Sequence, residues 1–222
     1  MKTIAMIPAR LGSQRLKQKN LLKINGEPIF VRALRKAKSM ACFDEVWANS
    51  ESDVIGELAA SADVPFHKRP EWLGSSEATS EDFVAEFLKA HPCDYLVQLH
   101  SIAPLVTRDE IDRFVTELTT GGWDTLVSGV DEQIQCMMGN EPLNFSKTNM
   151  DTTQELKPVQ RISWSLTGWR SESYLATYEQ KACATFNGKM GFFNLSRPSG
   201  LVIKYDEDYL MAKAMAEAGI GE

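Results

Sequence analysis

Short apolar runs with strand character alternate with segments of helical periodicity over the first 130 residues. The apolar runs predict strands at residues 3–9, 45–49, 64–66, 95–99 and 124–130. The segments between them predict helices at residues 28–41, 52–61, 80–89 and 107–118. This alternation is typical of a mostly parallel sheet covered by helices on both faces. The sequence therefore predicts an α/β fold with three layers.

The pattern changes after residue 130. Residues 131–190 carry aromatic side chains among polar ones, with few helical stripes, and we interpret them as an insertion lobe that covers a substrate or forms a dimer contact. Residues 191–195 and 201–205 are predicted strands, and residues 206–218 a closing helix with acids in its first turn. The whole chain, 1–222, is predicted to be a single domain.

Composition narrows the class of protein. No apolar run has the length of a membrane span, and the N-terminal run is too short for a signal peptide, so we expect a cytoplasmic protein. The net charge of −6 argues against a nucleic-acid partner. The four cysteines are widely spaced, which predicts neither a zinc site nor disulfides; they are Cys42, Cys93, Cys136 and Cys183.

Positive charge is concentrated near the N-terminus. Residues 1–26 hold six cations and no acid (+6), so the other 196 residues hold 18 cations and 30 acids (−12). The loop at residues 10–20 follows the first strand, and ligands of parallel sheets bind at the carboxyl ends of strands. The sequence therefore predicts an anion site in this loop.

The loop has the residue types that a triphosphate needs. Gly12 gives backbone freedom, Ser13 a donor, and Asn20 a polar group for a ribose or a base. The side-chain charges come from Arg10, Arg15, Lys17 and Lys19. Neither a Walker-type loop nor a dinucleotide fingerprint occurs in the sequence.

The order of residues in this loop carries a resemblance. Pro8-Ala9-Arg10-Leu11-Gly12-Ser13, followed by Lys17-Gln18-Lys19-Asn20, resembles the signature loop of the acylneuraminate cytidylyltransferases. The 3-deoxy-manno-octulosonate cytidylyltransferases share its first half. Similarity continues more weakly at residues 25–29, 69–73, 154–161 and 206–208.

The resemblance implies a Rossmann-like nucleotidyltransferase sheet, CTP and a sugar acid as substrates, Mg²⁺ as the metal, diphosphate release and a homodimer. It implies that Arg10 and Lys19 are catalytic, because they neutralise phosphate charge. The nucleotide-binding residues that it implies are Ala9, Leu11, Gly12, Ser13, Asn20, Arg69 and Ser80. For the sugar acid, Arg161 and the aromatic residues of 145–193 are the candidates, since arginine pairs with carboxylates. The Trp and Tyr residues nearest Arg161 are alternatively part of the lobe core or of a dimer contact.

Two positions depart from the family pattern. The family has a glutamine that reads cytosine four residues before a proline. Counting back from Pro104, this chain has His100 at that position, with Gln98 two residues earlier. Either side chain can hydrogen-bond a base, and the base preference can differ from cytosine. Where the family has two metal-binding aspartates, this chain has Val202 and Lys204.

Three explanations of the second departure stay open. Asp206 and Asp208 are the metal candidates if the alignment shifts, Lys204 is a fixed cation in place of part of the metal's charge, or the standard activity is lost. Two rival functions stay open. One is a family member that binds nucleotide or sugar acid without transfer, and the other is a glycosyltransferase. The second needs an Asp-x-Asp after a central strand, where this chain has His100.

Overall fold

The computed structural model describes residues 1–12, 15–75, 77–150 and 152–221. The strands along the described chain are β1 (Thr3–Pro8), β2 (Lys23–Ile24), β3 (Glu27–Pro28), β4 (Glu45–Ser50), β5 (Phe66–Lys68), β6 (Tyr95–Leu99), β7 (Thr125–Glu132), β8 (Met137–Met138), β9 (Glu141–Pro142), β10 (Val159–Arg170) and β11 (Met190–Asn194). Seven of them form one sheet in the order β11-β7-β10-β6-β1-β4-β5. In this sheet β10 runs antiparallel to β6 and β7, and the other neighbouring strands pair in parallel.

Helices cover both faces of this sheet. They are α1 (Ile29–Lys38), α2 (Asp53–Ser61), α3 (Ser80–Ala90), α4 (Arg108–Thr120), α5 (Ser171–Glu179) and α6 (Asp206–Glu217). Thr79 and Thr107 begin α3 and α4 with capping boxes, in which the threonine hydroxyl accepts from a backbone N–H three residues on. Each box satisfies two amide groups that a helix start leaves unpaired.

Strand β1 packs against a helix layer on each face of the sheet. Successive side chains of a strand point to opposite faces, and β1 is buried on both. Ala5 and Ile7 belong to the core cluster formed with α1, α2 and α4. Ile4 and Met6 belong to the cluster formed with α3 and α5 on the other face. The expected three-layer, mostly parallel α/β fold is therefore confirmed.

Strand β10 was not predicted, although it is the longest strand in the sheet. Its interior carries hydroxyl side chains, and these hide the apolar pattern of a central strand. Two of these hydroxyls are buried with partners: Ser165 donates to the Ser199 carbonyl at 2.9 Å, and Ser163 lies 2.9 Å from Ser165. Buried polar groups with such partners cost little, so a polar sequence can occupy the middle of the sheet.

The predicted strand at residues 201–205 was wrong. This segment has no strand partner among the described residues, and Ile203 makes one backbone bond, from its N–H to the Ile102 carbonyl at 2.8 Å. The predicted strand at 191–195 is confirmed as β11, and the closing helix as α6. In the described part of the chain, no helix has the length and apolar character to cross a membrane.

Candidate functional site

A cavity of about 330 Å³ opens at the carboxyl ends of β1 and β6. These strands are neighbours and parallel, so the loops that follow them meet at one edge of the sheet. The lining comes from four segments of the chain: Pro8, Ala9, Arg10, Arg15, Leu16, Lys19, Asn20, Arg69, Ser80, Phe83, Gln98, His100, Ser101 and Ile102. Among the residues that the structure describes, the lining includes four cations and no Asp or Glu.

Asn20 fastens the cationic loop to the end of β6. Its side-chain amide donates to the Arg10 carbonyl at 3.1 Å, and its side-chain oxygen accepts from the Ser101 hydroxyl at 2.8 Å. The side chain is buried by these contacts. Asn20 keeps one further donor and acceptor position for a ligand. Ser101 was not predicted, because nothing in its own segment indicates a contact with residue 20.

The Lys19 amine is repelled by the other cations of this site. Burial lowers the pKa of its amine, and the charges of Arg15, Arg10 and Lys204 lower it further, with Asp208 acting in the opposite direction. A bound anion would relieve this repulsion, because opposite charge within a few ångströms favours the charged form. The electrostatics therefore favour a polyanionic ligand.

Arg69 is held by the protein itself. Its guanidinium donates to the Asn49 side chain (3.0 Å), to the Ala9 carbonyl (3.2 Å) and to Glu51 (2.7 Å). The charge also lies 4.8 Å from the ring centre of Phe83. Burial lowers the pKa of Arg69, although Glu51 opposes this. Arg69 thus cross-links the ends of β1 and β4 and forms a fixed cationic wall of the cavity.

Gln98 and His100 lie where β6 ends. Gln98 is buried between Met6 of β1 and Thr167 of β10. Burial, helped by the charge of Lys19, lowers the pKa of His100 to about 4. The imidazole is therefore neutral near pH 7, with one nitrogen that donates and one that accepts. Both side chains can hydrogen-bond a neutral group such as a nucleobase.

A second cavity of about 180 Å³ shares Ser80, Gln98 and His100 with the first. Its other lining residues are Val84, Trp164, Trp169, Tyr174 and Thr185. In the described chain, no residue with a formal charge lines this cavity. Trp164 has a φ of 62°, within the stretch where the pairing of β10 with β7 shifts register. Such left-handed backbone is costly for a large side chain and is found at functional sites.

The remaining predicted nucleotide residues do not line either cavity. Leu11 packs against the core cluster, and a Cβ built on Gly12 would meet no described atom within 4 Å. The prediction for Ser13 lies outside the described residues. Ala9, Arg10, Lys19, Asn20, Arg69, Ser80, Gln98 and His100 are brought together in the first cavity.

Arg161 is not brought to these cavities. Its side chain is half exposed and pairs with Glu132 at 2.9 Å, so its contact with a sugar acid stays a prediction. Phe83 was not predicted, although its position three residues after Ser80 puts both on one face of α3. Trp164 and Tyr174 belong to the aromatic residues expected near the sugar acid, and they line the second cavity.

One of the acidic residues at the start of α6, Asp208, caps the helix. The Asp208 carboxylate accepts the backbone N–H groups of Lys204 and Tyr205 at 2.8 and 2.9 Å. Among the described residues, no group of three or more His, Cys, Asp or Glu is arranged to hold a metal ion. Magnesium is usually held by one or two carboxylates together with substrate phosphates, so Asp206 and Asp208 stay candidates for the metal site that the resemblance implies, although the backbone hydrogen bonds leave Asp208 fewer free lone pairs.

Fold and cavity together define an α/β protein with a cavity lined by cations at its strand ends. Residues 4–182 match the family model described as cytidylyltransferase, and the chain belongs to this family.

The chain is similar to the 3-deoxy-manno-octulosonate cytidylyltransferase of Chlorobium chlorochromatii, with 34% identity over 114 residues, 50% of this chain and 44% of that protein. It is similar to N-acylneuraminate cytidylyltransferase A of Danio rerio, with 26% identity over 127 residues, 57% of this chain and 30% of that protein. These matches span less than half of either relative.

A solved CMP:2-keto-3-deoxy-manno-octonic acid synthetase in complex with CTP has the same fold. It superposes with a TM-score of 0.73 over 99% of this chain and 100% of that chain, at 15% identity.

Proposed function

We propose that this protein transfers CMP from CTP to the hydroxyl group of a sugar acid and releases diphosphate. The observation that carries the proposal is the cavity at the ends of β1 and β6, with four cations and no described carboxylate in its lining. Its volume suits a nucleotide. Family membership supports cytidine, and the printed names of the relatives support a sugar acid as acceptor.

The triphosphate lies, in this proposal, against Arg10, Arg15 and Lys19. Gln98 and the neutral His100 face the base or the ribose. The acceptor hydroxyl attacks the α-phosphorus, a new P–O bond forms, the bond to the bridging oxygen breaks, diphosphate leaves, and the hydroxyl proton passes to solvent water. Fixed cations that meet the charge developing on the leaving group stabilise such a transition state.

The second cavity is the proposed acceptor site. It shares three lining residues with the first, so a molecule bound there would lie next to the nucleotide. Trp164 offers apolar surface for a sugar ring. The identity of the acid, the homodimer and the cytoplasmic location stay predictions.

The test is a diphosphate-release assay with each nucleoside triphosphate, Mg²⁺ or Mn²⁺, and a panel of eight- and nine-carbon sugar acids. We expect turnover with CTP and at least one acid. Turnover with another nucleotide instead would overturn the cytidine assignment.

The second candidate function is nucleotide binding without transfer. The observation that favours it is the closing segment, where Asp208 is used as a helix cap and Lys204 follows the buried Ile203. CTP binding without diphosphate release, under every metal and acceptor, would support this candidate.

A further inference from the structure

Lys204 lies on a segment that is anchored to the rim of the larger cavity on both sides. The backbone N–H of Ile203 donates to the Ile102 carbonyl at 2.8 Å. On the other side, the Arg15 guanidinium lies 6.0 Å from the ring centre of Tyr205. Ile102 and Arg15 both line the cavity. The residue between these two anchors is therefore held next to the cationic loop.

The surroundings of Lys204 leave its amine available. Asp208 turns its carboxylate to the backbone N–H groups of Lys204 and Tyr205, and in the described chain no acidic side chain forms an ion pair with the Lys204 amine. The side chain is exposed. Its charge is close enough to Lys19 to lower the pKa of that amine. A free cation thus adds to the group formed by Arg10, Arg15 and Lys19.

Residues 202 and 204 do not suit a metal ion. Val202 packs against the core cluster, and Lys204 is itself a cation. The family resemblance puts metal-binding carboxylates at positions 202 and 204. A cation at the same rim attracts what a bound metal would attract, namely phosphate oxygens.

We propose that Lys204 is a phosphate-binding residue, whose amine contacts the terminal phosphates of the bound nucleotide beside the loop at residues 10–20. This inference rests on the proposed function, because it assumes that the cavity receives a nucleoside triphosphate. Lys204 then acts as a fixed cation, so the affinity for diphosphate-containing ligands depends on residue 204 when no divalent ion is present.

Calorimetric titration with inorganic diphosphate, CTP and CMP, in the presence of a chelator, tests the proposal. We expect Lys204→Ala to weaken diphosphate and CTP about tenfold and CMP less than twofold, because CMP lacks the terminal phosphates. Lys204→Asp should weaken both by about 30-fold or more, and Lys204→Arg should keep most of the affinity. The helix cap uses the backbone N–H of residue 204, so these variants preserve it.

Lys213→Ala is the matched control, since Lys213 is a partly exposed lysine of α6 that pairs with Glu217. It should leave every affinity unchanged. An unchanged diphosphate affinity in Lys204→Ala, an equal loss for CMP, or no diphosphate binding by the wild-type chain would each overturn the proposal. Loss of diphosphate affinity in a chain that transfers no CMP would instead count against the proposed function alone.

Discussion

The two neighbouring cavities differ in charge although they share Ser80, Gln98 and His100. The larger one has four cations in its described lining, and the smaller one has aromatic and neutral polar groups. A polyanion can enter the first at little electrostatic cost, whereas the second offers surface for a neutral ring. The difference suggests that charge selects the nucleotide and that shape selects the ring of the acceptor, whose carboxylate finds no cation in the described lining of the smaller cavity.

The largest expected effect is on the charged cavity. Lys19→Ala removes a cation that is partly buried beside Arg10 and Arg15, so we expect transfer to fall about 1000-fold, the upper range for loss of one transition-state contact. The measurement is kcat/KM for CTP, with the melting temperature as a check on the fold. Lys23→Ala, which changes an exposed lysine of β2, should retain activity. Undiminished transfer in Lys19→Ala would remove the catalytic assignment.

The second prediction concerns the pH dependence of stability and His100, which lines both cavities. The folded pKa of His100 is about 4, below its ordinary value of 6.5, so the unfolded chain binds more protons between these values. Stability therefore falls as the pH drops from 6.5 to 4, by about 3 kcal/mol from this group. Denaturant unfolding at pH 7 and pH 4.5 measures it. His100→Gln should flatten the dependence, and an equal dependence in both proteins would contradict the assignment.

The two cavities also differ in how far the sequence predicts them. Residues 8–20 are contiguous and follow a strongly apolar strand, so both their place at the strand ends and their charge can be read from the chain. The smaller cavity combines α3, β10, α5 and Thr185, which meet only after folding. Strand β10 was missed because Ser163, Ser165 and Thr167 interrupt its apolar pattern and are accommodated by tertiary packing.

In the closing segment, the sequence predicted a strand that does not form. Residues 201–205 have the apolar and β-branched composition of a strand, yet they pair with no strand in the described chain. Composition cannot tell an edge position with one hydrogen bond from a paired strand. The capping role of Asp208 likewise depends on helix geometry. The sequence alone could not distinguish a capping carboxylate from a metal ligand at this position.

The third prediction acts on the neutral cavity. Trp164→Ala removes a large lining surface, and loss of one aromatic contact of about 1–1.5 kcal/mol corresponds to roughly tenfold weaker binding. We expect KM for the acceptor to rise by this factor while the affinity for CTP stays within twofold. Trp72→Ala, at an exposed tryptophan outside both cavities, is the control. A selective loss of CTP affinity would reverse the assignment of the two cavities.

The smallest effect is expected at Gly12, in the loop of the charged cavity. Its backbone φ is not positive and a Cβ would meet no described atom within 4 Å, so Gly12→Ala should change the stability of the free chain by less than about 1 kcal/mol. If phosphates approach the backbone here, the added methyl group weakens CTP by a few-fold and leaves the acceptor KM unchanged. Calorimetric titration of both proteins with CTP measures this. Equal affinities would mean that side-chain cations, and not the backbone at residue 12, hold the triphosphate.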